Sequence, residues 1–213
     1  ARGEVRGGAL AWAGGVPGEL RFAARAAEFA ARGLVPDAAV EAGAENMEFG
    51  GGPAIYTPCD LEFRLNHFFK PATWNPASPS YNGGIGGQPW IVKNLWETKN
   101  TCRVLLEGNV LQGVWGGFGQ HGEAIEISPK NQTGNLCPLC KTTDITVRFN
   151  LVRECSQWLS LASVAASDGN WYLAGNDYSV HDNIADGVMY TTRNDTTQNS
   201  GALTSNYSSS KPP

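Results

Sequence analysis

The chain has 213 residues, a net charge of −4, 17% charged and 41% hydrophobic residues. That length carries one good core, or one domain with an appendage. The low charge leaves Asn, Ser, Thr and backbone to cover the surface, and the acidic balance argues against a phosphate-backbone partner, which needs clustered Lys and Arg. No run of about 18 apolar residues is present, so no membrane span is expected.

Composition breaks near Met47. Residues 1–46 hold no Ser, Thr, Lys, Cys or Tyr, whereas the remainder is rich in them. Residues 1–49 therefore read as an N-terminal arm. Its arginines (Arg2, Arg6, Arg21, Arg25, Arg32) are matched by Glu4, Glu19, Glu28, Asp37, Glu41 and Glu45, so the arm is near neutral and is not a nucleic-acid binder on charge grounds. The Ala-rich stretch 19–33 is expected to form a helix, bounded by Gly18 and Gly33. Phe22, Ala26 and Phe29 would make one narrow apolar stripe on it, suited to docking on a neighbouring subunit. Gly50–Pro53 reads as a hinge.

Residues 50–192 alternate strand patterns with turn clusters. In Asp60–Phe69, Leu61, Phe63, Leu65, His67 and Phe69 share one face; in Asp144–Val152, Ile145, Val147, Phe149 and Leu151 do. Such period-2 patterns indicate half-buried antiparallel strands. Arg103–Leu111, Glu123–Ile127, Trp158–Val164, Trp171–Ala174, Tyr178–His181 and Gly187–Thr192 are further strand candidates. Together they predict a mainly β body, an antiparallel β-sandwich or jelly roll. Pro71–Trp90 is a long Gly/Pro-rich loop, in which Trp74, Tyr81 and Trp90 are the aromatics expected at a ligand or subunit contact. Residues 193–213 form a Ser/Thr/Asn-rich tail.

Cys59, Cys102, Cys137, Cys140 and Cys155 all lie in the body, with N-x-Ser/Thr sequons at Asn131, Asn194 and Asn206. Cysteines and sequons together favour an oxidising, extracellular or virion setting, with disulfides drawn from these five thiols and glycans on the three asparagines. An odd count leaves one thiol over.

Motifs for chemistry are weak. Gly117–Gly122 fits G-x-G-x-x-G without a following helix, so it reads as a turn. His121, Glu123, Cys137 and Cys140 have the residue types of a zinc hydrolytic centre, but the Pro lies inside the Cys pair. Glu123 and Glu126 are carboxylates three apart, which on a strand point to opposite faces. Asp177, Asp182 and Asp186 offer oxygens for a loose calcium site. No catalytic residue, cofactor or metal is assigned. The leading expectation is a structural, self-assembling subunit of a shell or fibre whose partners are copies of itself. A secreted carbohydrate-binding or carbohydrate-active protein using exposed Trp platforms is the alternative, and a zinc enzyme at His121/Glu123/Cys137/Cys140 a weaker one.

Overall fold

The computed structural model describes residues 44–50, 54–116, 121–131, 136–163 and 173–188 in full, and by backbone alone short strands at 5–6, 21–23, 39–41 and 203–206. The chain winds in successive coils. The first holds β1 (Val5–Arg6), β2 (Arg21–Ala23), β3 (Ala39–Glu41) and β4 (Met47–Phe49); the second β5 (Cys59–Arg64), β6 (His67–Phe69) and β7 (Trp96–Thr98). The third holds β8 (Thr101–Glu107), β9 (Val110–Val114) and β10 (Glu123–Ile127); the fourth β11 (Thr142–Arg148), β12 (Leu151–Cys155) and β13 (Gln157–Ala162). The fifth holds β14 (Asn176–His181), β15 (Ile184–Asp186) and β16 (Leu203–Asn206).

Each coil gives one strand to each of three sheets, except that the first gives both β1 and β3 to sheet A; the orders are β14-β11-β8-β5-β2 (sheet C), β1-β3-β6-β9-β12-β15 (sheet A) and β16-β13-β10-β7-β4 (sheet B). Every pairing between these strands is parallel. The molecule is a three-sided parallel β-helix, a solenoid whose coils contact mainly their neighbours. This corrects the expected antiparallel sandwich. Parallel sheets usually show unbroken apolar strands because both faces are covered. Here one face lines the solenoid and the other meets solvent, so parallel strands carry the alternation of antiparallel ones.

The expected helix over 19–33 is also overturned. Arg21–Ala23 is a strand of sheet C, with Phe22 in register opposite Phe63. Among the described residues there is no α-helix, only a 3-10 turn at Ala72–Trp74. Helix propensity is a weak prior that pairing along a sheet edge overrides. Ala26 and Phe29 lie outside the described residues.

In-register stacking builds the core in columns. Leu61, Val104 and Ile145 form one column, and Phe63, Leu106 and Val147 the next. Phe68, Leu111 and Val152 line sheet A, and Trp96, Ile125 and Leu159 line sheet B. All of these are buried. Phe63 meets Phe49 and Trp96 at ring separations of 5.6 and 6.0 Å, joining sheets B and C across the axis.

The corner between sheets C and A is the most regular feature. Leu65, Gly108, Phe149 and Asp182 each take a left-handed conformation (φ 53–67°), and each is followed by asparagine: Asn66, Asn109, Asn150, Asn183. These amides form a ladder. Asn150 Oδ1 accepts from both the backbone N–H and the Nδ2 of Asn109, each at 2.9 Å. Asn183 Oδ1 does the same for Asn150, and Asn109 Oδ1 for Asn66. Each Nδ2 also donates to a strand carbonyl: Asn109 to Phe63, Asn150 to Leu106, Asn183 to Val147. One residue type thus satisfies the turn's buried backbone groups at every level.

Candidate functional site

A long insert interrupts the winding. The corner from sheet A to sheet B is the single residue Ser156 in the fourth coil, but residues 70–95 fill it in the second. Trp74 and Trp90 hold this insert together by stacking at 4.3 Å and 15° between planes. Trp74 is buried and Trp90 and Tyr81 are half-buried, while Ile85 and Ile91 are exposed. Trp90 Nε1 donates to Asn82 Oδ1 at 3.3 Å. One face of each Trp is therefore engaged inside the insert.

Beneath the insert's return lies a dense group of titratable side chains. Parallel register places Glu48, Glu97 and Glu126 in one column on the outer face of sheet B. Adjacent rungs are about 4.8 Å apart, so such a column repels itself unless cations intervene. Lys99 intervenes: its ammonium pairs with Glu48 and lies 2.5 Å from Glu97 Oε1. Asn94 Nδ2 bridges the next gap, donating to Glu97 Oε2 at 2.8 Å and Glu126 Oε2 at 2.6 Å. Lys93 pairs with Glu45. Lys70 Nζ donates to Ala44 O and Asn46 Oδ1, both at 2.6 Å.

Burial splits these groups in proton affinity. Lys70 is 2% exposed, and desolvation lowers its pKa to about 7 against the support of Glu45. Burial also disfavours the Glu97 carboxylate, but Lys99 and Lys93 outweigh it and hold the group below the ordinary range. Glu126 moves upward, through burial first and then the charges of Glu97 and Glu123. Glu97 and Glu126 thus resemble an acid/base couple in their electrostatics. Access decides otherwise. The Glu97 side chain is 3% exposed with both oxygens engaged, so no attacking water reaches it. Glu45, Glu48 and Glu97 bring oxygens within 4.8 Å of one another, yet each is already paired with the Lys93 or Lys99 ammonium. The cluster is an internal ion network that clamps the insert to the solenoid.

The zinc constellation is not assembled. Cys137 and Cys140 are joined in a disulfide, Cα–Cα 5.2 Å, so neither sulfur offers a thiolate, while His121 Nδ1 meets Glu123 Oε1 at 3.1 Å. Cys59 and Cys102, in register on β5 and β8, form the other disulfide, Cα–Cα 4.5 Å. Cys155 is buried, its Sγ 3.1 Å from Arg153 O. Asn131 is buried, with Oδ1 accepting the Cys137 N–H at 3.0 Å. Asn206 ends β16, and Asn194 lies outside the described residues. Asp177 stands at the start of β14, Asp182 at the ladder corner and Asp186 on β15, all exposed.

Sequence reasoning missed the ladder asparagines and the Lys70/Lys93/Lys99 network. The ladder had a signal, the offset apolar-x-apolar-x-x-Asn at Leu61–Asn66, Val104–Asn109, Ile145–Asn150 and Tyr178–Asn183. The network had none, because its members meet only through register and a returning insert. No described helix is long and apolar enough to cross a membrane. Compared with protein-family models, curated proteins and solved structures, the chain matches none.

Proposed function

We propose that this chain is a structural building block of an extracellular assembly, in which copies stack coil on coil into a rod. The observation that carries the reading is axial: among the described residues the three sheets run from β1, β2 and β4 at one end to β14, β15 and β16 at the other. Sheet ends present unpaired strand edges, which template pairing with another chain. Two unlike ends that fit each other make a head-to-tail contact, and such contacts propagate as filaments. Disulfides at Cys59–Cys102 and Cys137–Cys140 support an oxidising compartment. Nothing in the ion network calls for a turnover site.

Electron microscopy and sedimentation of the purified chain test this. Rods that lengthen with concentration are expected, and placing charge on the terminal rung by Ser179→Lys with Ile184→Lys should shorten them. A chain that stays monomeric at the highest attainable concentration would sink the proposal.

A further inference from the structure

The base of the 70–95 insert overhangs the outer face of sheet A. Because the fourth coil turns the same corner with Ser156 alone, a ledge is left open beside β12. A cleft of about 180 Å³ lies between them. Pro71 and Asn75 contribute from the insert, Phe69 and the buried Trp115 also line it, and Gln112 and Glu154 supply polar groups.

Glu154 takes a left-handed backbone where its column neighbours carry glycine. Register pairs Gln112 with Arg153 and Val114 with Cys155, which makes Gly113 its counterpart in the third coil. Arg153 pairs with Asp186, which makes Gly187 its counterpart in the fifth. All three positions are left-handed, with φ of 73°, 56° and 63°. Glycine takes that conformation freely, whereas a glutamate there is strained. The same conformation recurs at Leu65 and Phe149 of the ladder corner, so what sets Glu154 apart is its place on the wall of the cleft.

Its orientation is fixed. Gln112 Nε2 donates to Glu154 Oε2 at 2.8 Å, and Gln112 Oε1 lies 3.1 Å from His67 Nε2. A carboxylate only accepts, so the Gln112 amide has one possible orientation and His67 carries its proton on Nε2. Glu154 Oε1 is left with the Arg153 guanidinium at 3.8 Å, and its side chain is 40% exposed. An oriented acceptor beside the half-buried Phe69 suits a ligand carrying hydroxyl donors on an apolar ring. Arg153 and the lining Lys70 disfavour a cation, and Glu154 disfavours an anion. The volume falls below the roughly 300–1,000 Å³ of drug-sized sites, which restricts the occupant to one ring.

From this geometry we infer that the cleft binds a single neutral sugar ring, with Glu154 accepting from its hydroxyls and Gln112 positioning Glu154. The site works in one copy of the chain, so it stands apart from assembly. The test is a nuclear magnetic resonance titration with methyl glucoside, methyl galactoside and methyl mannoside, using methylammonium chloride and sodium acetate as charged probes. Saturable shifts are expected with at least one glycoside. Glu154→Gly should weaken binding by about tenfold or more, the loss of a hydrogen bond to a charged group, while the melting temperature holds or rises. Glu154→Gln keeps the volume and should weaken binding as well. The inference is overturned if no glycoside saturates, if a charged probe binds and the glycosides do not, or if both variants bind like the parent.

Discussion

The asparagine ladder makes a single residue answerable for several buried groups, and its levels are unequal. Asn150 accepts two hydrogen bonds from Asn109 and donates to Leu106 O and Asn183 Oδ1. Asn150→Ala would leave the Asn109 N–H and the Leu106 carbonyl unsatisfied at about 1–3 kcal/mol each. A loss of about 3–5 kcal/mol in chemical denaturation is expected. Asn66 Oδ1 accepts nothing among the described residues, so Asn66→Ala should cost about 1 kcal/mol, only its Nδ2 bonds being lost. Equal losses at the two positions would show that the ladder is not what holds the corner. Lys70 supplies a second prediction. Its folded pKa of about 7 lies below the ordinary 10.5, so between those values the unfolded chain binds more protons and stability must rise with pH. Lys93 and Lys99 have raised values; their contribution is complete below 10.5 and is lost only above it. From pH 7 to 10 the denaturation midpoint should therefore climb, and Lys70→Met should flatten the climb.

Corners decide how far the strands could be read from the sequence. The alternation through Leu61 and Phe63 points inward as expected, but Leu65 is the left-handed corner and Asn66 follows it. The phase then resets, so Phe68 rather than Phe69 faces the core. The same happens at Phe149, exposed at the corner, after which Val152 replaces Leu151 inside. Each apparent long strand is two strands around a bend, and a left-handed non-glycine residue carries little sequence signature. Chain direction was invisible for another reason: alternation reports which face is buried, not which way the neighbour runs. The Cys59–Cys102 bridge belongs to this scale because it staples successive coils across 43 residues. Chain-entropy arithmetic gives about 4 kcal/mol for a loop of that size and about 2 for the Cys137–Cys140 loop. Cys59→Ala with Cys102→Ala should accordingly lower the denaturation midpoint by more than Cys137→Ala with Cys140→Ala. The reverse order would mean that the second coil is held by the ion network alone.

Across the whole molecule, the repeat was hidden by unequal spacing. The ladder asparagines fall at 66, 109, 150 and 183 because inserts of different length leave different corners, so no fixed period stands out. What remained legible was the mainly β class and the cysteine framework; the pairing of distant coils, and with it the ion network and the Glu154 cleft, required register. A solenoid of this kind is stabilised by nearest-neighbour interfaces, so its coils need not share one stability. The third and fourth coils have a neighbour on both sides and the fully buried Leu106, Leu111, Ile125, Ile145 and Val152. The fifth is thinner: β15 is exposed along its length, and β14 has only Tyr178 and Val180 packed against the core. Native-state hydrogen exchange should then show amides of β8, β9, β11 and β12 opening only with global unfolding, and amides of β14 and β15 opening at lower free energy. Assembly would alter that gradient in a specific way. Coil-on-coil stacking protects β14 and β15 as rods form, whereas lateral association leaves them as they are in the monomer, so exchange measured across the concentration at which rods appear separates the two modes.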